Sequence, residues 1–204
     1  MAAQSPERLG GGALEAADQE VTGTPIRAFF GVPVPEPQRE QLGAFLAQCA
    51  IVAPEFRWAV TENLHLTVRF VGTVERSLVE RIADRLEATG GPAIQLSLGE
   101  AGTFKRSRLA RVVWLGLRSG ADELKALALR VESECRAAGL PPEARAFKPH
   151  LTLARARSRD GASQPALPPL PALEPWRVDE LILYWSHLKK NGAEHEPIRR
   201  IRLG

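Results

Sequence analysis

Apolar residues return along this chain with two different periods, and the switches between them mark out its elements. Ile26-Arg27-Ala28-Phe29-Phe30-Gly31-Val32 is a nearly continuous apolar run that ends in Pro33 and Pro35, as in a largely buried strand. From Glu36 to Ala50 the interval lengthens, and Leu42, Phe45, Leu46 and Cys49 recur at helical spacing. Ser77 and Glu80 have the spacing of a capping box, after which Leu78, Ile82 and Leu86 trace a second helix that ends near Gly90-Gly91. A third helix starts at Ser119 or Gly120 and carries Leu124, Leu127, Val131 and Cys135. Gly139 stops it, and Pro141-Pro142 prevents its resumption. Further strands are predicted over residues 94–98, 112–117, 177–188 and 198–203, with an Asn-Gly hairpin turn at Lys190-Asn191-Gly192. Phe104, Lys105, Arg106 and Arg108 fall in a Gly-containing loop, and the five prolines of residues 157–175 mark a surface loop.

Two short stretches are near-copies of each other. Leu64-His65-Leu66-Thr67-Val68 follows the polar turn Thr61-Glu62-Asn63 and runs on to about Val71, and Pro149-His150-Leu151-Thr152-Leu153 ends in Arg155. Successive side chains of a strand point to opposite faces. Each His-x-Thr pair therefore shares one face, while its apolar neighbours share the other and seek the core. The element order is strand, helix, His-strand, helix, strand, strand, helix, His-strand, strand, strand. That order predicts an α+β fold with internal pseudo-symmetry and both His-x-Thr pairs facing one cleft. Residues 1–24, rich in Ala, Gly, Glu and Gln, are expected to form a flexible N-terminal tail, and 25–204 a single bilobal domain.

Composition adds little: 44% hydrophobic and 25% charged residues are ordinary for a globular protein of 204 residues. A sequence pI near 9.2 tilts the chain towards acidic or phosphate-bearing partners. Cys49 and Cys135 sit in helical apolar patterns, the place of small buried hydrophobes in a reducing compartment. No apolar stretch approaches the roughly 18 residues a membrane span needs, and no basic segment precedes an apolar run at the N-terminus. A soluble, monomeric, cytoplasmic protein is the expectation.

Two imidazoles facing one cleft suit a reaction that needs both a general base and a general acid, because histidine titrates near neutrality. Threonine hydroxyls two residues along can donate to the non-bridging oxygens of a phosphate. Lys148 and Arg155 flank the second motif and Arg69 follows the first, all candidate phosphate cations. Lys148 shares the face of His150 if the strand already begins there, whereas Arg155 lies at odd spacing and needs a twist. Phe70, also at odd spacing from His65, is either core or, if the strand bends near Val68, a surface on which a base stacks. His187 and His195 lie outside the repeated frame and are assigned surface or structural roles. No zinc spacing and no two-histidine-one-carboxylate spacing occurs, so no metal or other cofactor is expected.

The segments "NLHLTVRFVG" and "FKPHLTLAR" resemble the two signatures of the 2H phosphoesterase superfamily, and more narrowly those of the RNA 2′,3′-cyclic phosphodiesterases also described as 2′-5′ RNA ligases. "IRAFFGVPVP", "VVWLGL" and "ELILYWSHL" fit the same pattern, so the resemblance covers residues 26–204. It implies two antiparallel-sheet lobes with outer helices around a central cleft, and metal-independent opening of RNA 2′,3′-cyclic phosphate ends to 2′-phosphomonoesters. It further implies His65 as proton donor, His150 as proton acceptor, and Thr67 and Thr152 on the phosphate oxygens; the residues themselves nominate Arg155, Lys148 and Phe70 as substrate contacts. From the residues alone the acid and base are interchangeable. In relatives the reverse reaction joins RNA ends through a 2′-5′ linkage. Many relatives carry Arg at the position of Lys148, and often Tyr in the neighbourhood of His195. The alternatives are a phosphodiesterase for a small non-RNA cyclic phosphate and a non-catalytic RNA- or nucleotide-binding module.

Overall fold

The apolar runs pair edge to edge into one curled antiparallel sheet. The computed structural model describes residues 24–189 and 192–204, so the proposed tail up to residue 23, and Lys190 and Asn191 of the hairpin turn, lie outside it. In chain order the elements are β1 (Pro25–Pro33), α1 (Glu36–Val52), β2 (Phe56–Trp58), β3 (His65–Glu75), α2 (Arg76–Thr89), β4 (Ile94–Arg106) and β5 (Leu109–Ser119). They continue with α3 (Ala121–Ala137), β6 (Leu151–Ala156), β7 (Trp176–Val178), β8 (Glu180–Lys189) and β9 (Gly192–Arg202). The strands are ordered β7-β4-β5-β6-β3-β1-β8-β9, with β2 also paired to β6.

The midpoint of that order is the β6–β3 contact, and it consists of the single Cα pair Leu66↔Leu151. Those are the equivalent residues of the two motifs, so a pseudo-twofold passes between them with four strands of that order on either side and β2 added beside β6. One ladder pair holds the lobes edge to edge, and the strands splay beyond it. Leu64, Leu66, Val68, Leu151 and Leu153 are all buried in one core cluster, together with the apolar stripes of the three helices. Full burial of a leucine side chain is worth about 1.5–3 kcal/mol, so the register that buries these five is strongly favoured. The polar alternates are thereby held on the other face.

The sequence and the structure part in several elements. Residues 99–106 are strand, not loop: β4 continues to Arg106 and turns through Ser107, whose φ of 55° is left-handed, into β5. Gly102 belongs to that strand because the Trp114 indole lies over it, where a Cβ would approach ring atoms to 2.4 Å. The strand over residues 177–188 is two strands, β7 pairing with β4 and β8 with β1, divided at Asp179. No capping box forms at α2, which starts one residue before Ser77 without a side-chain cap, while Glu80 pairs with Arg76.

Candidate active site

Antiparallel register around Leu66↔Leu151 puts His65 across from Thr152 and Thr67 across from His150, one step out on either side. The two histidines are then diagonal neighbours across that single-pair contact. His65 is the first residue of β3, whereas His150 immediately precedes β6 on extended chain. Both rings are held by the same device. His65 Nδ1 lies 2.7 Å from the carbonyl of Asn63, and His150 Nδ1 lies 2.6 Å from the carbonyl of Lys148, in each case two residues back. A carbonyl only accepts, so each Nδ1 carries the proton and each neutral Nε2 is left as an acceptor. The Thr67 hydroxyl donates to His65 Nε2 at 3.0 Å.

Electrostatics keeps both rings neutral in the unliganded protein. Burial pushes His65 down to about 4; its bond to Asn63 opposes this, and charge on His195, Arg155 and His150 adds to it. Burial also lowers His150, assisted by Arg155 and Lys148. Because the folded value of His65 lies below the unfolded 6.5, the unfolded chain binds the proton more tightly. Stability is therefore lost as pH falls from about 6.5 to about 4. The ceiling on that loss is about 3 kcal/mol, since the ring keeps part of its surface in solvent. Urea unfolding at pH 7 and pH 4 is expected to show that His65→Asn loses less stability than wild type by up to that amount.

Two register slips complete the cleft. Between Phe30 and Gly31 of β1 the partner in β3 jumps from Arg69 to Thr67, leaving Val68 as an extra residue. Between Val113 and Trp114 of β5 the partner in β6 jumps from Ala154 to Thr152, leaving Leu153 as the extra residue. Both lie three residues after the motif histidine, and each reverses the alternation beyond it. Phe70 and Arg155, both at position five from their histidine, are thereby turned onto the His-x-Thr face. Phe70 is 40% exposed and lies parallel to Phe29 at 6.2 Å, and Phe29 in turn meets His65 at 4.7 Å. Lys148 reaches the cleft although no strand has begun there: its Nζ sits 5.1 Å above Phe104 and 4.7 Å above Trp114, and both rings pack on His150. Among the described residues neither Arg155 nor Lys148 has a carboxylate partner.

Arg69 does not belong to the cleft. It is buried on the opposite face, bonded to Glu132 at 2.6 Å, to Glu143 at 3.3 Å and to the carbonyls of Phe70 and Pro141. His195 is not remote from it. Its ring stands edge-on to His65 at 5.0 Å and to Phe29 at 4.9 Å, with Nδ1 buried and unpartnered among the described residues. Burial, Arg27 and His187 lower its pKa. The hairpin register Lys189↔Gly192, counted back, places His195 opposite Ser186 on β8, whose Tyr184 pairs with Phe29 of β1. The Asn-Gly turn is the sequence signal from which that count starts. Among the described residues no group of three or more His, Cys, Asp or Glu side chains gathers into a metal-binding cluster.

An α+β sheet curled about two facing His-x-Thr strands is the architecture of the 2H phosphoesterases, and the family profile of the 2′-5′ RNA ligase superfamily matches residues 39–190. This chain belongs to that superfamily. It is 32% identical over 177 residues to the RNA 2′,3′-cyclic phosphodiesterase of Escherichia coli strain K12, covering 86% of this chain and 96% of the relative. The RNA 2′,3′-cyclic phosphodiesterase of Methanothermobacter thermautotrophicus is 29% identical over 185 residues, which cover 87% of this chain and 99% of the relative. The crystal structure of E. coli LigT in its apo form superposes with a TM-score of 0.75 at 31% identity, covering 89% of this chain and 99% of LigT. LigT complexed with 3′-AMP gives a TM-score of 0.74 at 30% identity over 88% of this chain and 98% of LigT.

Proposed function

We propose that this protein is an RNA 2′,3′-cyclic phosphodiesterase, opening RNA 2′,3′-cyclic phosphate ends to 2′-phosphomonoesters by two-histidine acid–base catalysis without a metal. The observation that carries the proposal is the matched pair of imidazoles, each with Nδ1 tied to the carbonyl two residues back, which leaves Nε2 of each ring for chemistry. A cyclic phosphate seated between them meets a base on one side and an acid on the other. His150 Nε2 takes a proton from water, the water oxygen bonds to phosphorus, and the bond from phosphorus to O3′ breaks. His65 Nε2–H then delivers a proton to O3′, leaving a 3′-hydroxyl and a 2′-phosphate. Thr67 and Thr152 donate to the non-bridging oxygens, Arg155 and Lys148 offset the charge that builds there, and Phe70 offers a face to the base. A nucleotide 5′-hydroxyl attacking in place of water closes a 2′-5′ linkage by the same steps, which makes ligation the companion reaction.

The acid must be protonated, yet His65 is neutral near pH 7 in the unliganded protein. A bound phosphodiester anion supplies the countercharge and raises the ring it touches. Since kcat/KM reports the free enzyme, its optimum is expected between about 4 and 6.5, with a tenfold fall per pH unit on the alkaline side. The profile of kcat alone, reporting the complex, is displaced to higher pH. The function itself is tested by incubation of an RNA with a 2′,3′-cyclic phosphate end in EDTA, with the product isomer identified. A 2′-phosphate is expected. A 3′-phosphate, or activity that disappears with chelation, overturns the proposal.

A further inference from the structure

On the rim of the second lobe stands a group of arginines that the hydrolytic steps leave unused. Arg57 of β2 and Arg155 of β6 are direct register partners, so their side chains lie on the same face. Val112 of β5 is the partner of Arg155 on its other side, and the slip from Phe104↔Val112 to Lys105↔Ala110 makes Arg111 the extra residue of β5. Arg111 stands close enough to Arg155 for its charge to act on it. Like charges set directly opposite on neighbouring strands destabilise a sheet. Among the described residues Arg69, Arg76, Arg85, Arg199 and Arg200 each meet a carboxylate and others, such as Arg81, Arg118 and Arg177, do not; what sets this group apart is like charge placed directly across a strand pair. Among the described residues Arg57, Arg111 and Arg155 meet none, nor do Lys105, Arg106 and Arg108 at the adjoining hairpin tip.

We infer that Arg57 and Arg111 extend the cleft from Arg155 into a track for the phosphodiester backbone of single-stranded RNA, making oligoribonucleotide ends, not cyclic mononucleotides, the preferred substrate. The inference rests on the proposed function, since a 2′,3′-cyclic end on a polyanion can only be RNA. Neighbouring guanidinium groups with no carboxylate partner among the described residues suit a ligand with regularly spaced negative charges. One phosphate, in contrast, is served by Arg155 and Lys148 beside His150. The first lobe supports the asymmetry: its residue equivalent to Arg155 is the aromatic Phe70, over which the Arg27 guanidinium lies at 4.8 Å. The track therefore leaves the cleft on the second-motif side.

The test compares binding of a dye-labelled RNA octamer with a 2′-phosphate end and of a 2′-phosphate mononucleotide, across a salt series, to wild type and to Arg57→Gln/Arg111→Gln. Each phosphate contact to a single strand contributes a slope of about 0.7 in log K against log salt. The double variant is expected to bind the octamer about tenfold more weakly at low salt, with its slope reduced by about 1.4. Mononucleotide affinity is expected to change less than about twofold, and Tm to hold or rise as the repulsion is relieved. An unchanged octamer slope, an equal loss on both ligands, or a fall in Tm overturns the inference. Turnover of a 2′,3′-cyclic mononucleotide, run in parallel, reports on hydrolysis separately. If that turnover persists while octamer and mononucleotide bind alike, the track fails and the hydrolase stands. Arginine-dependent octamer binding without any cleavage upholds the track and overturns the hydrolase.

Discussion

His65→Ala and His150→Ala are each expected to lower kcat for a 2′,3′-cyclic phosphate by at least about 10³-fold while the fold persists. A positioned proton transfer contributes about 10²–10⁴-fold, and each ring here is positioned twice, by its Nδ1 bond and by aromatic contact. Neither ring closes a buried polar network, so truncation opens space at the cleft surface and leaves the core intact. The pair acts on one transition state, so the double variant is expected to be little worse than the poorer single one. The same variants assign the roles. Sulfur in place of the 3′ leaving oxygen needs little protonation to depart, so on that substrate the acid variant recovers activity and the base variant does not. Recovery by His65→Ala supports the assignment given above. Recovery by His150→Ala exchanges acid and base without disturbing the rest.

Arg69→Ala is expected to destabilise the protein by about 3–5 kcal/mol, read by urea unfolding. Its guanidinium is 9% exposed and joins β3 to α3 through Glu132 and to the segment before the second motif through Glu143 and the Pro141 carbonyl. Removing it strands Glu132, which is mostly covered, without its partner. For a chain of this size the loss corresponds to a fall in Tm of about 10 °C. Arg69→Lys keeps the charge but loses the planar fork that reaches four acceptors, and is expected to recover less than half the loss. Because the 141–143 segment leads directly to Lys148 and His150, kcat falls in the alanine variant at temperatures where it is still folded.

Most of the scaffold is legible in the chain because burial enforces period. The helix stripes and the leucines of the two motifs announce their own faces, and the duplicated His-x-Thr frame tells that two strands share a cleft. What stays hidden is set by partners. No local pattern shows that Val68 and Leu153 are extra residues, because a register slip is defined by the neighbouring strand. Parity counting alone therefore leaves Phe70 undecided and Arg155 at the wrong spacing, and the repeated slip turns both towards the histidines. Arg69 resembles a phosphate ligand in the sequence for the same reason. The glycines and charges of residues 99–108 read as loop because they break the apolar alternation, yet two-strand pairing with β5 carries them as sheet and brings Phe104 to within 4.9 Å of His150. His195 reaches the site only through two successive strand pairings, from β9 to β8 to β1.

The most direct measurement is a crystal structure of the protein with a 2′-phosphate-ended nucleotide bound. The two imidazoles are predicted to straddle one phosphorus atom, with both Nε2 atoms at hydrogen-bond distance, about 3 Å, from oxygens of the same phosphate group. Thr67 and Thr152 are predicted to donate to its remaining oxygens. A phosphate held by only one of the histidines, or seated outside the cleft altogether, contradicts the account.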